Sequence, residues 1–567
     1  MTNQKNPLGI NGNEKDMRGN PKWNYFRKNV IDYQSELLYD SRGPWPTPAP
    51  GRPLSEYAEV TNLPIEETKD WSKNVSRKYL SIILTKFIPG LWDAYITSDG
   101  RYDAFDDNQF NSHITNGMYS KFISTLDHGD TELFIDQIPE VNDNPDEFVK
   151  MDFSMMEWLC NKTLPDVYAA PTIVLFKVSN PEINHKRTES NLPTYTAIAI
   201  HIYQTDDYQK KIIETADTIL PPKESSQNSL EKKRWDLAKY FVIQGAVHRI
   251  NMTEHGKLHF PFDSINAITK SVLPTNHPLF CLLHPHLRLS LPVNNTVLEG
   301  KYSLLSRTNW VVYSPFSAEG KYTRKLIPDA YVGRKDKPNS FPEYTFPLKP
   351  SYPNTSFGVF LKKNYAIFRD FATAVINETL ASEYKNNDNT GQKRNWEFIA
   401  LWAESISEWV PGFPKREDFL SEDEDLDYVS TNRAMLIDVV SLMIWNLTVA
   451  HSADHAGFAR SGQRRNVFRI HVPPPLKGTH VEDNFHKKLV TRWDLFQSYL
   501  THQLFYKPHN TVNLVDVQYD FCGHPNHLRI QELRDILIRK LKECDVSERK
   551  RDETLPRLDE VSSSIQY

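Results

Sequence analysis

Residues 434–455 read Ala-Met-Leu-Ile-Asp-Val-Val-Ser-Leu-Met-Ile-Trp-Asn-Leu-Thr-Val-Ala-His-Ser-Ala-Asp-His. Up to Ala450 the stretch is apolar nearly all round, interrupted by Asp438, Ser441, Asn446 and Thr448. A helix of that kind either sits inside a large core or crosses a membrane. A span needs ~20 apolar residues and tolerates a carboxylate poorly. This stretch is shorter and carries Asp438, so a central core helix is the expectation. It ends in His451 and His455, four residues apart and therefore on one helix face. At such depth each ring must find a partner, either a backbone carbonyl or a metal ion.

The same spacing occurs nearly two hundred residues earlier. In Val-His-Arg-Ile-Asn-Met-Thr-Glu-His-Gly-Lys-Leu-His (247–259) the pair is His255 and His259. Two helices side by side, each bearing such a pair, would offer four imidazoles to one ion. Imidazole suits zinc, copper, iron and nickel, so spacing alone does not name the metal. One pair is weak evidence in a chain with 19 histidines. His248 stands seven residues before His255, a poor spacing for sharing an ion. It reads as a ring supporting the site from behind, or as a satisfied buried histidine.

Between the pairs lies His-Pro-Leu-Phe-Cys-Leu-Leu-His-Pro-His-Leu-Arg-Leu-Ser-Leu-Pro-Val-Asn (277–294). With His277, Pro278, Leu282, Leu283, Pro285, His286, Arg288 and Asn294 in register, this segment resembles the lipoxygenase signature. The interval from His259 to His277 is similar to that family's, as are the steps from Trp445 to His451 and on to His455. Trp235-Asp-Leu-Ala-Lys239 looks like the family's lead into its first ligand helix. The likeness spans roughly residues 150–460 and is looser toward both ends.

The resemblance implies one non-haem iron, or occasionally manganese, held by His255, His259, His451, His455 and the terminal carboxylate of Tyr567. It implies no catalytic side chain beyond these: a metal-held hydroxide takes a hydrogen atom from a doubly allylic CH₂, and O2 adds to the resulting radical. The substrate would be a polyunsaturated fatty acid and the product a hydroperoxide. His277, His286 and Asn294 would be structural, with His277, His284 and His286 hydrogen-bonded in the core. The implied fold is mainly α: a large helical body around two long metal-bearing helices, with a few short strands.

Several residues depart from the family's pattern. Its first two ligands are usually five residues apart on a helix with a π-bulge, and here Glu254 occupies the five-residue position as a rival to His255. The family mostly ends in a small aliphatic residue, whereas this chain ends Val-Ser-Ser-Ser-Ile-Gln-Tyr (561–567); a frayed tail is the alternative to a terminal ligand. Asp454 stands where a small residue is usual. These changes keep open a different substrate, hydroperoxide isomerisation, or a non-catalytic lipid-binding relative.

The chain of 567 residues is 39% hydrophobic and 12% aromatic, which excludes disorder as a whole. A net charge of −5 gives no reason to expect nucleic acid. Four cysteines imply no disulfide framework, and Cys522-Gly-His-Pro-Asn-His527 fits no zinc pattern and reads as a solvated loop. The polar start Met-Thr-Asn-Gln-Lys-Asn-Pro suggests no signal peptide and hence a cytoplasmic protein, expected to be monomeric, with peripheral membrane contact. Residues 1–55 read as a polar, proline-rich arm and 56–567 as one catalytic domain without the family's N-terminal lipid-binding β-barrel. Strands are expected over 171–179 and 194–203. Helices are expected over 234–259, 359–385, 393–408, 433–456, 484–505 and 529–544.

Overall fold

The computed structural model describes residues 43–45, 55–56, 77–97, 106–179, 192–205, 213–223, 229–259, 261–290, 297, 304–305, 311–323, 326, 352–381, 383–385, 391–407, 410, 412–421, 428–461, 465–506, 512–550, 552 and 555–566. Asn294, Tyr567 and most of the proline-rich arm lie outside them; within the arm, Gly43–Trp45 pairs with Ser55–Glu56. The described residues are mainly helical, and one hydrophobic core runs from Ile82 to Ile565.

At the centre lie the two long helices expected from the histidine pairs. The first starts at Leu230, where the Ser229 hydroxyl accepts from the Lys232 N–H (3.3 Å), and it is buried from Trp235 to His248 except for Asp236. The Trp235 Nε1–H and the Lys239 ammonium both donate to Asp107 Oδ1, each at 2.8 Å. That shared carboxylate gives the Trp-x-Leu-Ala-Lys motif a structural purpose. It fixes the helix's rotation and neutralises a lysine that is only 1% exposed. Gly245 is needed for contact: a Cβ there would lie 2.6 Å from Phe153 Cβ.

The second helix opens at Arg433 with Asn432 Oδ1 accepting from the Met435 N–H (3.0 Å) and continues to Ser461. Arg433–Arg460 is long and apolar enough to cross a membrane, yet most of it is buried inside the protein. Its neighbours are protein: Ser356–Thr379 packs along it, and the Trp445 Nε1–H donates to the Leu361 carbonyl (3.1 Å).

Four antiparallel strands, Phe148–Asp152, Thr172–Ser179, Thr194–Thr205 and Ile213–Ile219, form a meander in chain order. The pleat sends Val174 and Phe176 into the main core and Ile173 and Leu175 into a small second cluster with Phe134 and Val141. Both faces are covered, so the alternation that marks a half-buried strand is missing from 172–176. The outer strands escaped the sequence reading.

Two further corrections concern the helices. The segment expected to be helical to 385 ends at Thr379, and Glu383–Lys385 pairs as a strand with Tyr428–Thr431. Tertiary bonds redirect the chain there, with Gln392 Oε1 accepting from the Ala381 N–H and the Trp396 indole donating to the Ala381 carbonyl. The expected helix 484–505 is broken before Arg492, where Thr491 and Asp494 form a capping box that restarts it.

Candidate metal centre

Immediately before each histidine pair the helix opens by one residue. Ile250–Glu254 and Asn446–Ala450 are π turns, and the His255 and His451 N–H groups donate five residues back, to Ile250 and Asn446. An extra residue within a helix rotates the downstream part relative to the upstream part. Each long helix can thus bury its upstream face in the core and still turn its histidines toward the other helix. A third π turn, His502–Tyr506, packs against the second helix, and its Tyr506 hydroxyl donates to Asn251 Oδ1 (2.6 Å).

The four imidazoles converge. His255 Nε2 lies 2.9 Å from His259 Nε2, which lies 3.0 Å from His451 Nε2, which lies 3.2 Å from His455 Nε2. One ligand atom from each residue falls within 4.8 Å of all the others. With metal–nitrogen bonds of about 2.1 Å, ligands at right angles stand about 3 Å apart and opposed ligands about 4 Å. The observed set fits one ion. Hydrogen bonding alone satisfies it poorly, because the His259 and His451 nitrogens each face two others and a neutral ring carries only one N–H. A cation between lone pairs removes the conflict.

The surroundings keep the second helix's two rings neutral. Burial, followed by the neighbouring histidines, holds His451 and His455 well below the ordinary imidazole range. Neutral imidazole is the form that binds metal. The Phe505 carbonyl is a backbone partner of His455, and Tyr506 stacks on Phe458 with ring centroids 4.2 Å apart.

Glu254, the rival ligand, lies outside the four-histidine group. Its carboxylate bonds to Lys257 (3.1 Å) and lies near Arg249 (3.9 Å). Burial opposes its ionisation, but these cations hold its pKa below the usual value. His248 is a satisfied buried ring. Its Nδ1–H donates to the Gln244 carbonyl and its Nε2 accepts from the Ser317 hydroxyl, both at 2.9 Å.

The histidines of the middle segment hold it in place. His277 caps the helix Pro278–Leu283, its Nδ1 accepting from the Leu279 N–H while Nε2–H donates to the Asn395 carbonyl. His286 donates from Nδ1 to the Ser563 carbonyl (2.7 Å) and accepts at Nε2 from the Tyr519 hydroxyl (3.0 Å). His284 departs from the expected core role, for it is exposed and stacks on Phe280. Cys522 is exposed in a turn, as a solvated loop requires.

The end of the chain, as far as Gln566, is not frayed. Residues 561–566 are buried, with the Ser562 N–H donating to Ser452 Oγ on the second helix, and the Ser563 N–H to the Val512 carbonyl. The Ser564 hydroxyl donates to the Arg288 carbonyl, and Gln566 Oε1 accepts from the Val512 N–H.

Two residues went unassigned in the sequence. Asp454 Oδ2 accepts from His255 Nδ1–H at 3.3 Å, and its other oxygen accepts from the Lys121 ammonium. Asp454 was visible as a departure, but Lys121 is 333 residues away and nothing marks it.

No family model and no curated protein matches this chain. Solved structures do. A fungal lipoxygenase from Fusarium graminearum superposes with a TM-score of 0.59 over 95% of this chain and 99% of its own, at 16% identity. A LOX deletion variant gives 0.60 over 89% of this chain and 76% of its own, also at 16% identity. The anaerobic complex of a LOX deletion variant with arachidonate gives 0.58 with the same coverage and identity. The chain has the lipoxygenase fold.

Proposed function

We propose that this protein is a non-haem metal dioxygenase that adds O2 to a polyunsaturated fatty acid to give a hydroperoxide. The convergence of four imidazoles within a lipoxygenase fold carries this reading. The arachidonate held by the LOX variant supports the substrate class. His255, His259, His451 and His455 would hold iron or manganese, with the Tyr567 carboxylate proposed as a further ligand. Such an ion supplies one-electron oxidation of a weak, doubly allylic C–H bond. The protein's own part is to keep His451 and His455 neutral, to point four Nε2 atoms at one place, and to exclude bulk water.

The helix Arg77–Leu91 and the π turn after it present Leu80, Leu84, Ile88 and Trp92 at four-residue steps, all more than half exposed. Ile82, Gly90 and Ala94 on the same segment are buried. We place contact with a lipid surface on this ridge, where the substrate class resides.

Elemental analysis and oxygen uptake test the function together. Purified protein is expected to carry about one iron or manganese per chain and, given linoleic or arachidonic acid, to consume O2 while conjugated diene absorbance rises. His451→Ala is expected to lose metal and turnover together. Bound zinc, or no transition metal, would exclude the redox reading. A metal-replete chain inert toward these acids would point to another substrate or to hydroperoxide rearrangement.

A further inference from the structure

We infer that Asp454, clamped by Lys121, is a positioning residue that orients His255 and tunes the electron density it delivers to the centre; this rests on the metal reading above. Asp454 lies between His451 and His455 in sequence but reaches across to the other ligand helix. Its side chain is 1% exposed, that of Lys121 is 6%, and that of His255 is 14%. Among the four rings, His255 is the most exposed, and besides stacking on His451 its rotation needs a directional constraint. The bond from Nδ1–H to Asp454 supplies that constraint. With the proton held at Nδ1, the Nε2 lone pair faces the other three rings.

A carboxylate behind a ligand imidazole makes it a stronger donor than a carbonyl would. A bare buried carboxylate beside the ring would be costly and would draw the Nδ1 proton toward itself. Lys121, on the short helix Met118–Phe122, balances that charge and lies near the Phe357 ring (5.7 Å). The pair therefore divides its work. Asp454 aims the ring and enriches it, and Lys121 limits how far.

The two charges should act in opposite senses on a redox couple, which a merely structural role would not produce. The test uses the full chain loaded with iron, with helical content checked by circular dichroism. Iron affinity is read by competition with a chromogenic chelator, and the reduction potential by mediated titration. Asp454→Asn is expected to weaken iron binding about 10–100-fold and to raise the potential, because negative charge is removed behind His255. Lys121→Met is expected to lower the potential, because the carboxylate is left uncompensated. Should Asp454→Asn fail to fold, the direction of the Lys121→Met shift decides. Wild-type affinity and potential in both variants, or shifts of the same sign, would overturn the inference while leaving the four-histidine centre standing. Failure of the unmodified chain to hold iron would overturn the centre itself.

Discussion

His286 has one neutral tautomer open to it, since a carbonyl faces Nδ1 and a hydroxyl faces Nε2. Through the Ser563 carbonyl it ties the middle segment to the buried end of the chain. His286→Ala strands that carbonyl and the Tyr519 hydroxyl. Each buried polar group left unpaired costs about 1–3 kcal/mol. The expected result is a lower unfolding midpoint together with faster amide exchange across 555–566; unchanged exchange there would contradict the tie. The sequence marked His286 as structural, yet it could not name Ser563 or Tyr519, which come from chain hundreds of residues away. The four site histidines were legible because helical spacing pairs them locally. Asp454 stood out in kind but not in role, since its bonds to His255 and Lys121 exist only after the helices pack.

Helices were legible where an apolar run announced them, as over 434–450, although the first ligand helix begins at Leu230, four residues before its expected start. Their ends were less so, because the bonds of Gln392 and Trp396 to Ala381 are tertiary. The helix Arg77–Leu91 was not foreseen. Its outward ridge is the element whose role is most open to test. Leu84→Asp combined with Ile88→Asp places two charges on an exposed stripe, where the cost to folding is small. Sedimentation with phosphatidylcholine vesicles is expected to drop several-fold while turnover on dispersed substrate stays unchanged. Equal vesicle binding by variant and wild type would remove the ridge from lipid contact.

For the molecule as a whole, the buried histidines couple folding to acidity. Burial lowers His248, His277 and His286 from about 6.5 to about 4. Above pH 6.5 these rings are neutral whether the chain is folded or not, and they add no pH dependence. Below it the unfolded chain takes up protons that the folded chain refuses. Stability therefore falls as the pH drops from about 6.5 toward 4, at a rate approaching about 1.4 kcal/mol per unit for each ring. Metal-free protein in chelator should show a melting temperature that declines steeply between pH 6.5 and 5. A flat profile over that range would show that these rings are not buried as described.

At this scale the fold was legible from the 277–294 segment and the paired histidines, and the sheet in part: its two inner strands were expected, while the edge strands Phe148–Asp152 and Ile213–Ile219 were not. A π-bulge was named only as a habit of the family's first ligand helix, and the turn Asn446–Ala450 was not foreseen. The placement of the two π turns has a consequence for how this architecture tolerates change. An α-helix advances 100° per residue, so losing one residue from 250–254 or 446–450 swings the downstream pair by more than a quarter of a circle against its packed stem. Length in these two stretches is therefore held more tightly than identity, and a one-codon slip there is a graver injury than most replacements.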